Sequence, residues 1–425
     1  MRKVPRLFIV LVLSLSSTLL LGQEVGPANT RSLGSPPNAV IGFSAAMDPA
    51  MMDSAAIDSA LTIRPWSITT WGQHRSNTMD HELGRMLVRG GDIDRSLVES
   101  ARAVQAGDIG SFGFTSGAVF NWTSSVKWRE TDANICGSIQ TRWIGDSRWT
   151  PELYDLVLMG NAGHLGRWDV LDGSRARTTG WLNAAIGLQG KNQNRVEIGL
   201  VYRPFQYEAR IRNGYFFVNE AVDSMYASLR AEARWNQRDA WGLGMNAEWH
   251  FVREEAPFAF HVQVRNVGAV VARQRVTIEV DTTFETTGLT FEGEGWSLES
   301  IQSEKYEQTW TTLDTTRFSI QSLPTRLDVA LEYPISPRSG WDVQVQVGEW
   351  MPLPRAMTGY RRAIGRQWQA GVQLIVGGWG RWRPAGWVRW REPGAHAWML
   401  YLEDPWGWGN DSAYGRGLTL RYERL

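Results

Sequence analysis

Apolar side chains recur at every second position in run after run of this 425-residue chain, and that period constrains its fold more than any other feature. Phe112, Phe114, Ala118, Phe120 and Trp122 hold alternate positions of one run, and Val196, Ile198, Leu200 and Tyr202 of another. The pattern is cleanest over residues 227–264. Ala227, Leu229, Ala231, Ala233 and Trp235 alternate with Arg230, Glu232 and Arg234. Trp241, Leu243, Met245, Ala247, Trp249 and Phe251 alternate with Asn246, Glu248 and His250. Phe258, Phe260, Val262 and Val264 alternate with His261, Gln263 and Arg265. Side chains of an extended strand point to opposite faces in turn, so this period predicts strands with one apolar and one polar face. Short joints rich in turn formers (190–194, 236–240, 253–257 and Glu392-Pro393-Gly394) predict hairpins between them. The runs together predict about 14 strands.

Two all-β architectures satisfy such alternation. A soluble sandwich buries its apolar faces against each other, whereas a membrane barrel turns them to lipid and lines its lumen with the polar faces. The runs cover 9–11 residues, the length a tilted strand needs to cross a bilayer, and soluble strands are shorter. The chain carries 23 Trp, and aromatics gather at run ends, where interfacial girdles sit: Trp122, Trp143, Trp235, Trp241, Trp249, Trp341 and Trp368. The polar faces mix charges of both signs, as a lumen can pair in ladders: Arg230, Glu232, Arg234, Glu248, His250, His261 and Arg265. These features favour an all-β fold, an antiparallel transmembrane barrel of the outer-membrane type, over the sandwich.

Export agrees with a membrane location. Arg2, Lys3 and Arg6 precede the apolar run Leu7–Leu21 and then Gly22, the layout of a cleaved signal peptide over residues 1–22. Residues 23–425 then form one barrel domain, delivered to the cell outer membrane with lipid as its first partner. The 44 basic and 44 acidic residues cancel, which excludes nucleic acid as a partner. Cys136 is the only cysteine, so no disulfide forms within the chain. Two stretches read as helices, one opened by Asp92 and one by Thr150-Pro151-Glu152. The region 80–105 is expected to fold into the lumen as a plug, and the polar segment 292–322 to form a long loop.

The chemistry-bearing residues point to no reaction. None of the six histidines stands in a familiar metal-ligand spacing, so no metal and no cofactor is expected. His250 and His261 fall on the polar faces of adjacent strands with Glu248 nearby, which reads as a hydrogen-bonded lumen ladder in preference to a hydrolase using a His base. Cys136 reads as an inert thiol and the tryptophans of 379–408 as girdle and loop packing.

Several short motifs resemble a family of Bacteroidota outer-membrane barrels related to the PorP/SprF group. Met47-Asp48-Pro49-Ala50 is similar to that group's Asn-Pro-Ala opening, with Asp in place of Asn. Leu158-Met159-Gly160-Asn161-Ala162 resembles its Gly-Asn element, Val264–Gly268 its Asn-Leu-Gly strand end, and Leu323–Leu327 its Pro-Thr strand start. Met399–Asp404 and Arg416-Gly417-Leu418 resemble its final hairpin. The resemblance implies the fold and a non-enzymatic, structural or anchoring role, with a secreted adhesin or a component of gliding or type IX secretion machinery as partner. The alternative is an outer-membrane transporter or channel for small or hydrophobic solutes.

Overall fold

Strand β1 (Trp66–Ser76) leads through helices α1 (His81–Arg89) and α2 (Arg95–Gln105) to β2 (Gly110–Lys127) and β3 (Asn134–Trp149). Helix α3 (Pro151–Leu158) and β4 (Trp168–Val170) precede β5 (Arg175–Gln189), β6 (Arg195–Val218), β7 (Ser224–Asn236), β8 (Ala240–Val252) and β9 (Ala259–Thr287). A small hairpin of β10 (Phe291–Glu292) and β11 (Gly295–Trp296) is followed by β12 (Ser303–Ser322), β13 (Arg326–Ser336), β14 (Ser339–Gly348) and β15 (Arg355–Ile364). The chain closes with β16 (Trp368–Gly377), β17 (Arg383–Arg391), β18 (His396–Glu403) and β19 (Gly415–Arg424). This computed structural model describes residues 66–424 except 90–94, 106–108, 128–132, 160–163, 191–193, 222–223, 237–238, 253–257, 288–290, 293–294, 297–302, 393–395 and 411–412. The expected signal peptide and the Met47–Ala50 motif lie outside the described residues.

β1 pairs with β2 on one side and with β19 on the other, from Trp66 opposite Arg424 to Arg75 opposite Gly415. That last ladder closes the sheet into a 14-strand antiparallel barrel. The number is smaller than the count of strands because some share a column. β7 and β8 lie end to end between β6 and β9, and β12 and β13 lie end to end along β9. β4 likewise continues the column of β5 along β6. Among the described residues, no helix is long and apolar enough to cross a membrane.

Side chains alternate about the barrel wall as the sequence predicts. In β14, Trp341, Val343 and Val345 are exposed while Asp342, Gln344 and Gln346 are buried, and β16 exposes Val372, Leu374 and Val376. The apolar set thus faces outward, with no second sheet covering it. The outer face is bounded by aromatic belts. Toward the end marked by Trp66 and Arg424 (the near end), Trp66 packs on Tyr422 at 5.1 Å and Trp398 on Tyr422 at 4.6 Å. Trp368 with Trp390, Trp341 with Tyr360, and Phe251 with Phe260 continue this belt around the wall. Toward the far end, Trp143 meets Phe205 at 5.8 Å and Tyr202 meets Trp241 at 4.6 Å. An apolar band between aromatic girdles is the exterior of an outer-membrane barrel.

The connections differ at the two ends. Near-end turns are short, with Gly190 N–H donating to Asn194 O and Glu392 N–H to His396 O across their hairpins. Far-end connections include 77–109 and 150–174, which carry the helices. Several columns, those of β4, β6, β7, β9 and β12, also run past the far belt. β6 has 24 residues and β9 has 29, well over the 9–11 a crossing needs.

Two expectations are corrected here. Residues 236–240 are not a hairpin: β7 and β8 run in the same direction, both antiparallel to β6 and β9, so the joint interrupts one long column. The supposed loop 292–322 contains β12, paired along β9 from Thr286 to Ala269. Its polar sequence hid it because this column continues beyond the far belt, where neither face meets lipid. Within 80–105, Leu83 of α1 and Val98 and Ala101 of α2 bury against Tyr154 of α3, beside Trp149 at the end of β3, and Val104 O of α2 accepts from Arg381 of the β16–β17 connection. The Tyr154 hydroxyl donates to Val98 O at 3.3 Å, and burial together with the adjacent Asp155 charge pushes it above its ordinary range.

An outward Val372→Arg substitution is expected to destabilise the barrel in lipid vesicles by about 2–4 kcal/mol. Ile320→Arg, level with Trp241 at the far belt (both opposite Val271), should cost about 1 kcal/mol or less. Urea unfolding of the two variants in the same vesicles measures the difference, and equal costs would contradict a lipid-facing band.

Candidate functional site: a lumen bridged by two loops

The inward face is lined by large charged side chains, and Arg142, Arg203, Arg326, Arg355 and Glu403 are among those almost fully buried. Buried charge is tolerated only where partners replace the lost water, so these groups are found in clusters. Glu403, at the far end of β18, accepts from Arg75 Nε at 3.2 Å, from Arg355 Nη2 at 2.7 Å and from Arg383. Arg75 also reaches Asp404 at 3.0 Å. Three guanidiniums from β1, β15 and β17 thus converge on one carboxylate and tie the two sides of the β1–β19 seam to the wall beyond.

A second cluster crosses the lumen. The β14–β15 loop (349–354) turns inward immediately after Gly348, where φ is +103°, and Glu349 and Trp350 follow at +51° and +65°. A Cβ at Gly348 would stand 2.1 Å from Thr325 O, so the turn tolerates no other residue there without displacement. Glu349 is buried and pairs with Arg142 of β3, nearly halfway round the barrel, and lies 3.7 Å from Arg326, which itself holds Asp328 at 2.5 Å. Trp350 lies under the Arg177 guanidinium at 4.4 Å and its carbonyl accepts from Arg148.

The β16–β17 loop (378–382) makes the companion bridge. Trp379 Nε1 donates to Asp146 of β3 at 3.2 Å, and Trp379 O accepts from Ser111 Oγ of β2 at 3.1 Å. The Trp379 ring joins Ile144, Trp181, Val201, Val270 and Leu323 in one buried cluster, with Trp350 and Met351 packed against it. Charged anchors at the ends and an apolar cluster between them therefore span the lumen toward its far end.

The ladder expected from sequence divides in two. Glu248, His250, His261 and Arg265 face inward within the barrel. His250 and His261 stand opposite each other in the β8–β9 register, with rings stacked at 4.3 Å, and Glu248 Oε1 is 2.9 Å from His250 Nε2 and 3.2 Å from His261 Nε2. Arg265 is opposite Arg326. Arg230, Glu232 and Arg234 do share one face, but on β7 beyond the far belt, so they line the extension and not the lumen. There Glu232 gathers Arg210 at 3.0 Å, Arg212 at 2.5 Å and Arg234, while Arg230 pairs with Glu279. Of the expected girdle residues, Trp143 and Trp241 lie toward the far end and Trp122, Trp249, Trp341 and Trp368 toward the near end. Trp235 sits six residues past Trp241 on the extension. Cys136 is buried on the inward face.

The bridging residues Glu349, Trp350 and Trp379 were not foreseen. Only the glycines Gly348, Gly377 and Gly378, all at positive φ, signal those turns in the sequence. A far-end clamp was missed as well: His164 lies between Asp169 at 2.7 Å and Asp155 at 3.1 Å, and fastens α3 to β4.

No family model and no curated protein matches this chain. The likenesses among solved structures are distant ones. The toluene transporter TbuX of Ralstonia pickettii is similar at 7% identity and a TM-score of 0.38, covering 85% of this chain and 89% of its own. The Pseudomonas putida toluene transporter TodX aligns at 6% identity and a TM-score of 0.38, covering 85% and 89%. The translocator domain of autotransporter NalP from Neisseria meningitidis gives 8% identity and a TM-score of 0.26, covering 87% and 92%. Similarity this low carries no argument about what the present chain does.

Glu403→Gln should destabilise the barrel by about 3–5 kcal/mol, because it leaves three guanidiniums around a neutral amide. Glu279→Gln, at an exposed pair on the extension, should cost less than about 1 kcal/mol. Denaturant unfolding in detergent micelles compares the two, and a Glu403→Gln barrel as stable as the parent would deny the cluster its structural weight.

Proposed function

We propose that the chain is a non-enzymatic outer-membrane barrel, held shut by its own loops, that anchors or assists proteins at the cell surface. The observation that carries this reading is the pair of cross-lumen bridges, Glu349 to Arg142 and Trp379 to Asp146. An open diffusion pore has no use for loops pinned across it by a buried ion pair and an indole hydrogen bond. The chain reaches the outer membrane through its cleaved N-terminal signal, and the short turns mark the periplasmic end. The far end, with its helices and prolonged columns, then stands outside the cell as the surface for a partner. A secreted adhesin or a secretion-machinery component fits that position, in keeping with the PorP/SprF-like motifs.

A transport reading has one observation in its favour. Met357, Ile375, Ala385, Trp387, Met399 and Tyr401 form a buried apolar cluster on the inward face of β15–β18, which would give a hydrophobic solute an apolar wall if the interior opened. Planar-bilayer recording separates the two. The parent protein is expected to show no steady conductance, and Glu349→Ala combined with Trp379→Ala to show discrete openings. Steady conductance in the parent, or swelling of parent-containing liposomes in small solutes, would replace the anchoring reading with transport.

A further inference from the structure

We propose that Glu248, His250 and His261 form a binding site for a late first-row divalent metal ion, Zn(II) or a congener, inside the near end of the barrel. The proposal does not depend on whether the lumen is shut. Strand register brings the ligands together. His250 and His261 are a directly opposed pair of the β8–β9 ladder, and Glu248 is two residues along the same face of β8. Their rings stack at 4.3 Å with only 20° between planes, so both Nε2 atoms can approach one carboxylate oxygen. The separations are 2.9 Å from His250 Nε2 and 3.2 Å from His261 Nε2 to Glu248 Oε1, and the three ligand atoms all lie within 4.8 Å of one another. Adjacent donors of a tetrahedral zinc site, at bond lengths of about 2.0–2.2 Å, are about 3.3 Å apart, so two of the three edges are already formed.

Hydrogen bonding alone leaves this cluster incomplete. Glu248 Oε1 serves His250, whereas His261 Nε2 is buried and has no aligned hydrogen-bond partner. A buried nitrogen whose carboxylate neighbour at 3.2 Å lies out of line for a hydrogen bond is poorly compensated for its lost water, and coordination would compensate it. The outer shell is also in place. Gln263 Nε2 donates to Glu248 Oε2 at 2.8 Å, which orients the carboxylate and leaves Oε1 for an ion. Asn194 Oδ1 accepts from the His250 backbone N–H at 2.6 Å and fixes the strand at the ligand. Of the nearby cations, Arg195 pairs with Glu197, and Arg265, on the same inward face of β9, also meets the charges of Asp328 and Glu349. Two imidazoles and one carboxylate suit zinc, copper, nickel or iron over magnesium or calcium. Three protein ligands leave a fourth position facing the lumen.

The test uses the full chain in detergent micelles, free of any oligohistidine tag and stripped with a chelator. Titration with Co(II) is expected to raise visible d–d absorption that saturates at one equivalent and is abolished by Zn(II). Glu248→Gln and His261→Ala should each weaken Co(II) binding at least tenfold, whereas His74→Ala, on the outward face of β1, should leave it unchanged. Zn K-edge X-ray absorption on the parent protein, which requires no variant to fold, should show scattering from two imidazoles. Absence of a saturable cobalt spectrum, binding unaffected by either ligand substitution, or a zinc shell without imidazole would each overturn the proposal.

Discussion

Closure of the sheet is the constraint on which the rest of this molecule depends. Lipid offers no hydrogen bonds, so a strand edge left open inside the apolar band would expose a row of unpaired backbone groups at several kcal/mol each. The β1–β19 ladder removes that edge over ten consecutive register pairs. Once the sheet is a cylinder, period-two alternation has only one consistent outcome, with apolar side chains in lipid and polar ones inside. The seam also carries one of the three-arginine clusters. Glu403 lies next to it, and Arg75 of β1 reaches Glu403 of β18 past β19. The cross-link acts through side chains where the backbone acts through the ladder.

An interior of this kind raises a problem that an apolar core does not. Each buried arginine must find acceptors, and a carboxylate placed against several arginines answers that need more economically than separate pairs would. Glu403, Glu349 and Glu232 each serve two or three guanidiniums, and Asp146 adds Arg148, Arg175 and Arg177 to its Trp379 bond. Planar, forked guanidinium groups can each address more than one oxygen, which is how a chain with almost no lysine builds such knots. The knots join elements far apart in sequence, so they fix the position of one wall against another as well as satisfying charge.

The transmembrane part of the fold was legible because lipid makes alternation compulsory. Val196, Ile198 and Leu200, or Trp341, Val343 and Val345, announce strand, phase and facing at once. Where lipid ends, the signal ends. In β12 the sequence mixes Thr, Ser and charged residues with no apolar period of two, so it reads as loop although it forms a 20-residue strand. The column joint at 236–240 looks like any hairpin because turn formers mark a break in pairing without saying whether the chain reverses. Within the site, the facing of His250, His261 and Glu248 follows from phase alone, but their convergence follows from register, which a two-residue slip would abolish. The inward loops were not legible at all. Glu349 and Trp350 adopt positive φ as ordinary residues, held there by contacts on the opposite wall that no local pattern encodes.

The extension beyond the far belt is stiffened at its root, and this bears on how it acts. Bulges interrupt the register between Ile211 and Asn213 and between Asp314 and Thr316, where long strands must change twist on leaving the cylinder. Near those breaks Glu232 binds Arg210, Arg212 and Arg234, and Gln321 bonds both Arg203 of the wall and Asn236 of the column joint. Each knot spans a break that would otherwise be a hinge. The extension is thus continuous with the barrel by its backbone and cross-linked by side chains at the points where its register breaks. Under the anchoring proposal, a load at its tip would pass to the membrane-embedded wall through these cross-links.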